Sequence, residues 1–185
     1  MPDIVHDLPI NAVASRVFRA VSMPAELDHW WTARSAGKPR LGAEYELWFG
    51  PEYDWRATVT RCEPDVAFEL TLSHADKEWV GTQVGFHGNA KGGATQVCFH
   101  HLGWPAASEH NRVSCYCWAM YLRVSRAISS TESQCPTSGA SMSEGSAWHS
   151  FPHRRLRRID GHDLGESSSW LVVRLDRSNS QLPSS

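Results

Sequence analysis

Two apolar periods alternate along this chain, and their order predicts the architecture. Ile4-Val5-His6-Asp7-Leu8-Pro9-Ile10 makes a short first strand. Pro9 cannot donate to a ladder, which places that strand at an edge. Val13, Val17, Phe18 and Val21 recur at helical spacing, giving a first helix capped at Asn11 and ended before Pro24. Pro24 opens a second short helix, from Ala25 to about Trp31, as proline does in a first turn. From Ala43 the period falls to two. Tyr45 to Phe49, Trp55 to Cys62, Ala67 to Leu72, Trp79 to His87 and Ala94 to His101 each predict a strand, separated by turn sequences such as Asn89-Ala90-Lys91-Gly92-Gly93. Consecutive strands joined by short turns make an antiparallel meander with one buried face. Val113, Cys117, Met120 or Tyr121, and Val124 then fall on one helical stripe, with Ser108 as its N-cap. That order is the one expected of an α+β domain whose curved sheet wraps around a long final helix.

The pattern holds to Ile128 and then stops. Residues 129–185 carry fifteen serines, no sustained apolar period and a basic cluster at Arg154-Arg155-Leu156-Arg157-Arg158. Such a composition buries too little surface to offset its ordering entropy. At face value it is a disordered regulatory or interaction tail. Loss of one base near the codons of Arg123 and Val124 is the reading adopted here. Shifted by one base, codons 127 to 143 permit Arg-Tyr-Leu-Glu-His-Gly-Glu-Ser-Val-Pro-Tyr-Glu-Arg-Arg-Leu-Asp-Val, and codon 144 permits a stop. That string reads as the end of a helix with a glycine stop and a short extension. The domain is therefore assigned to residues 1–128, and the basic cluster is not taken as a nucleic-acid site.

The 185 residues suit one full domain and not two. A net charge of −2 provides no basic field for nucleic acid or an anionic membrane. No apolar run reaches the roughly 20 residues of a membrane span, and Met1-Pro2-Asp3 has no signal-peptide character, so the cytoplasm is the expected location. Five cysteines without disulfide or paired zinc-ribbon spacing read as reduced, among them Cys62, Cys98, Cys115 and Cys117. Nine tryptophans change the picture more, because seven precede Arg123 and are spread over almost every expected element. That much indole fills a core or lines a cavity.

The most specific local sequences are Trp30-Trp31, Gly92-Gly93-Ala94-Thr95, His101-Leu102-Gly103-Trp104, and the helix carrying Trp118 and Tyr121-Leu122. In these the chain resembles the START-like (SRPBCC) domains related to the C-terminal part of the Hsp90 ATPase activator Aha1, over Asp3 to about Arg123. The resemblance implies a helix-grip fold with a hydrophobic cavity between sheet and final helix. By that analogy the cavity candidates are Trp31, Trp48, Trp55, Phe68, Leu70, Phe86, Phe99, Trp118 and Tyr121, while His101, Gly103 and Trp104 secure the strand-to-helix corner. The implied partner is a hydrophobic small molecule or an Hsp90-type chaperone. No cofactor and no metal are expected.

Other chemistries find little support in the residues. His100 and His101 are neighbours on a strand and point to opposite faces, so they cannot chelate together. His101 is expected to hydrogen-bond backbone near Trp104. There is no Gly-x-Ser-x-Gly elbow, and Gly92-Gly93 lies between strands and does not open a helix. Glu46 and Glu69 are the carboxylates to check for burial in a cavity, where a raised pKa would suit acid–base work. Three functions follow, in order: a module binding an apolar or aromatic ligand, a chaperone-binding protein, and an enzyme using the cavity.

Overall fold

A computed structural model describes residues 2–131, with side chains through Arg126. Its elements are β1 (Ile4–Ile10), α1 (Ala14–Ser22), α2 (Pro24–Leu27), β2 (Arg34–Ala36), β3 (Glu44–Gly50), β4 (Tyr53–Glu63), β5 (Ala67–His74), β6 (Gln83–Lys91), β7 (Ala94–Leu102) and α3 (Glu109–Thr131). The strands form a single antiparallel sheet in the order β1-β7-β6-β5-β4-β3-β2. The meander is thus realised, and β1 closes on β7 as an edge strand, with Ile4 opposite His101 and Ile10 opposite Thr95. Register shifts in β3 and β4, between Trp48 and Gly50 and between Val59 and Arg61, bend and twist this side of the sheet. The fold is the helix grip, with α1 and α2 inserted after the first strand and α3 closing the chain of elements.

Local chemistry explains most of the boundaries. Gly92 and Gly93 take φ of 57° and 84° in the β6–β7 turn, a conformation glycine adopts without a Cβ clash. Ser108 caps α3: its Oγ accepts from the Asn111 N–H at 3.0 Å. Trp30 donates its indole N–H to the Ala20 carbonyl at 2.9 Å, and the Tyr45 hydroxyl donates to the Ser22 carbonyl at 2.5 Å, which ties the α1–α2 pair to the sheet.

The structure corrects several expectations. α1 is preceded by Val13, with no side-chain cap, and not capped by Asn11. The chain turns at Ile10, whose carbonyl accepts from Ala12 N–H, before the helix opens. α2 ends at Leu27, and Trp30 and Trp31 follow on hydrogen-bonded turns. The short strand β2 has no apolar alternation to announce it. β6 starts at Gln83 instead of Trp79, because Thr82 N–H closes a turn on the Trp79 carbonyl and Gly81 has φ of 82°. The buried stripe of α3 is Asn111, Ser114, Trp118, Leu122 and Ser125, one position round from the expected one. Val113, Cys117, Tyr121 and Val124 are only half-buried along its border. α3 runs to Thr131. The remainder of the reading after residue 128 falls on residues 132–185, outside the described ones.

Candidate functional site

The inward positions of the sheet and the buried stripe of α3 bring together an assembly of aromatic rings. Trp118 is its centre. Its ring centroid lies 4.5 Å from Phe99, 5.2 Å from Trp31 and 5.9 Å from Trp79. Trp79 in turn meets Trp55 at 4.8 Å, His101 at 4.5 Å and Trp104 at 5.8 Å. Phe86 joins through Phe99 at 5.1 Å, Phe49 through Trp55 at 4.9 Å, and Tyr121 through Trp118 at 6.1 Å. These are contact separations for aromatic pairs. The rings therefore fill the space between this part of the sheet and the helix with one another.

One polar chain runs through the assembly, and its protonation is fixed by its partners. His101 has no exposed surface. Trp118 Nε1–H points at His101 Nδ1 across 3.1 Å, and an indole nitrogen can only donate, so Nδ1 accepts. The imidazole proton then resides on Nε2, which donates to Thr82 Oγ1 at 2.8 Å. The Thr82 hydroxyl passes its own hydrogen to the Trp79 carbonyl at 2.6 Å. Burial, with smaller contributions from His100 and His110, pushes the His101 pKa down to about 3. A histidine whose lone pair and proton are both engaged, and which stays neutral far below neutral pH, is a poor general base. Its role here is to hold Trp118 and the turn before β6 in one arrangement. The expectation that it bonds backbone near Trp104 is corrected: its partners are two side chains, from α3 and from that turn.

The other residues marked out by the sequence divide into groups. Trp31, Trp55, Phe86, Phe99, Trp118 and Tyr121 belong to the assembly. Burial raises the Tyr121 hydroxyl to about 12, so it is a neutral phenol over the working pH range. Phe68 sits on the α1 side, 6.3 Å from Phe18 and 5.6 Å from Tyr45, and borders a cleft of about 10 Å³ with Val17, Val21 and Thr95. That is room for about one water. Leu70 is buried in the same hydrophobic core. Trp48 is on the other face. It lies half-buried with the Arg34 guanidinium 5.1 Å from its ring, because β3 alternates and sends Tyr45 and Leu47 inward. Phe49 occupies the interior place assigned to Trp48. Gly103, at φ of 85° with the space for its Cβ facing Thr82, and Trp104, with no exposed surface, form the β7–α3 corner.

The carboxylates are not in the interior. Glu46 is exposed, and Glu69 lies on the outer face with its carboxylate 3.2 Å from His100 Nε2. That ring reaches across β6 over Gly85, where a Cβ would stand 2.3 Å from His100 Nε2. Among the described residues no group of three or more His, Cys, Asp and Glu is placed to hold a metal ion, and no helix is long and apolar enough to cross a membrane. Sequence reasoning missed Trp79, His110 and Thr82 as parts of the assembly. For Trp79 a signal existed: it is a lone large aromatic after the polar run Asp76-Lys77-Glu78.

Residues 11–124 match the family described as activator of Hsp90 ATPase homolog 1-like protein. The chain belongs to this family. The match covers both helices after β1, the meander and α3 as far as Val124. No curated protein matches the chain significantly. Among solved structures, the Aha1 dimer of Colwellia psychrerythraea is 21% identical, covering 70% of this chain and 97% of its own, with a TM-score of 0.64. A Bacillus halodurans protein is 23% identical over 69% of this chain and 96% of its own, with a TM-score of 0.58. CalU16 of Micromonospora echinospora is 20% identical over 71% of this chain and 78% of its own, with a TM-score of 0.56. At these identities the likeness is one of fold.

Proposed function

We propose that this Aha1-like domain binds an apolar, aromatic small molecule between the inward face of its sheet and α3. The observation that carries the reading is the ring assembly around Trp118, which joins strands, turns and helix through aromatic faces and contains one neutral, fully engaged polar chain. Small-molecule sites are cavities with mostly apolar walls and a few placed polar groups; the walls here are of that composition, and the rings themselves occupy the space between them. Because the rings touch, a ligand enters by displacing one of them. Catalysis is not part of this reading, since His101 is spoken for and Glu69 faces outward.

The test is a titration of the purified chain, followed by tryptophan fluorescence, against fatty acids and flavonoid-like aromatics. Saturable quenching by aromatic members of the panel is the expected result. Absence of binding by every member would refute the reading. The family's description favours a second function in that event, binding of an Hsp90-type chaperone with a change in its ATPase rate.

A further inference from the structure

We propose that the ligand's seat is the place now held by the Trp79 ring, and that the ligand is a neutral, planar two-ring aromatic with a hydrogen-bond donor on one edge. This inference rests on the preceding reading of the domain as a binder of aromatic molecules.

Trp79 differs from most of the rings around it in what carries it, Trp104 of the β7–α3 corner being the exception. Trp55 and His101 stand on strands and Trp118 and His110 on α3, where ladder or helix hydrogen bonds fix the backbone. Trp79 belongs to the turn between β5 and β6, in which Lys77 and Val80 are exposed and Ala75, Asp76 and Glu78 half-buried. From that segment its side chain runs inward to 7% exposure, with Thr82 buried nearby and Ala75 packed on the core. The backbone of this turn is held, since Trp79 N–H donates to the Asp76 carbonyl and the Trp79 carbonyl accepts from Thr82, so the movement proposed is one of the side chain. The polar chain also survives such a movement: Thr82 bonds the Trp79 carbonyl and not its ring, so the indole can rotate out while Thr82, His101 and Trp118 keep their partners.

The surroundings of the ring define what would replace it. Trp55, His101, Trp104, Trp118 and His110 lie 4.5 to 6.3 Å from it, an enclosure of planar faces sized to an indole. The Trp79 Nε1–H donates to His110 Nε2 at 3.1 Å, so a replacement needs a donor on that edge. Trp104 adds a second requirement. Its Nε1 is buried and has no hydrogen-bond partner among the described residues. An indole in the seat offers it no acceptor. A ligand with an acceptor atom within reach of this donor would satisfy it, which burial otherwise leaves at a cost. A charged ligand is disfavoured, since enclosure among aromatic faces would strip its solvation.

The experiment uses the full chain labelled with 15N, in which the Trp79 indole N–H is assigned by its disappearance in Trp79→Phe, a variant that keeps a ring in the core. The probes are 2-naphthol, which donates through its hydroxyl, 6-hydroxyquinoline, which adds a ring acceptor, and 2-methoxynaphthalene, which has no donor. Expected are binding of the first two, weakening by about fivefold for the methoxy probe, as one lost hydrogen bond implies, and loss of that discrimination in His110→Phe. On binding, solvent exchange of the Trp79 indole N–H should rise at least about tenfold while that of Trp118 stays slow. Trp79→Phe, lacking the bond to His110, should bind all three probes more tightly. Binding with Trp79 exchange unchanged would overturn the inference and leave the ligand-binding reading standing. Failure of all three probes, with other members of the fluorescence panel still bound, would overturn the proposed ligand class alone. Failure of the whole panel would remove both.

Discussion

Replacing His101 by Gln removes one titrating group from the centre of the fold while keeping an acceptor for Trp118 Nε1–H and a donor for Thr82. His101 has no exposed surface, and burial lowers its pKa from 6.5 to about 3. The folded chain therefore holds it neutral while the unfolded chain takes up a proton below about pH 6.5. Its contribution is complete above that pH and declines as pH falls toward 3. The separation of the two values sets a ceiling of about 5 kcal/mol, and about 2 kcal/mol of that is lost by pH 5. Urea unfolding of the full chain, followed by tryptophan fluorescence at pH 7.5 and pH 5.0, measures it. The wild type should lose about 2 kcal/mol more than His101→Gln across that interval. The remaining ionisable groups are common to both proteins and largely cancel in the difference. Equal pH dependence of the two chains would refute a neutral, proton-excluding His101. A steeper loss in the variant would refute the bonding pattern as well.

Trp104→Ala should cost on the order of 3 kcal/mol, as large core truncations do; urea midpoints check it. Gly85→Ala would force the His100 ring from its place over β6 and break its 3.2 Å pairing with Glu69, for about 1–2 kcal/mol. The cost should shrink in a His100→Ala background, and strict additivity in that double-mutant cycle would contradict the steric cause. The proposed loss of one base near codon 124 predicts that restoring it yields a Leu-Glu-His-Gly ending and a chain that melts higher than this one. Sequencing of the gene followed by thermal melts of both versions decides the matter, and an unchanged melting temperature would favour a genuine tail.

Elements whose form depends on neighbours within a few residues were legible in the chain. The period of two from Ala43 produced the meander, Gly92-Gly93 a turn that needs positive φ, Pro9 an edge strand, and Ser108 a helix cap. In each case the deciding interaction is local, a steric limit on φ or a hydrogen bond spanning three residues. Which side of an element turns inward was legible only in part. Strict alternation from Tyr45 and Leu47 already puts Trp48 on the outer face with Glu46; the family analogy placed it in the cavity, and the alternation prevailed. α3 shows the reverse. Its apolar spacing favoured Val113, Cys117 and Tyr121, whereas packing against the sheet buries Asn111, Ser114, Trp118, Leu122 and Ser125, because the single large ring of Trp118 must enter between Trp31, Trp79 and Phe99. Six of the rings were named from the chain and the family resemblance, but the polar centre that links them was beyond the sequence. His101, Trp118, Thr82 and Trp79 come from a strand, a helix and a turn, and the direction of each hydrogen bond follows from partners that only the folded chain brings within 3.1 Å of one another.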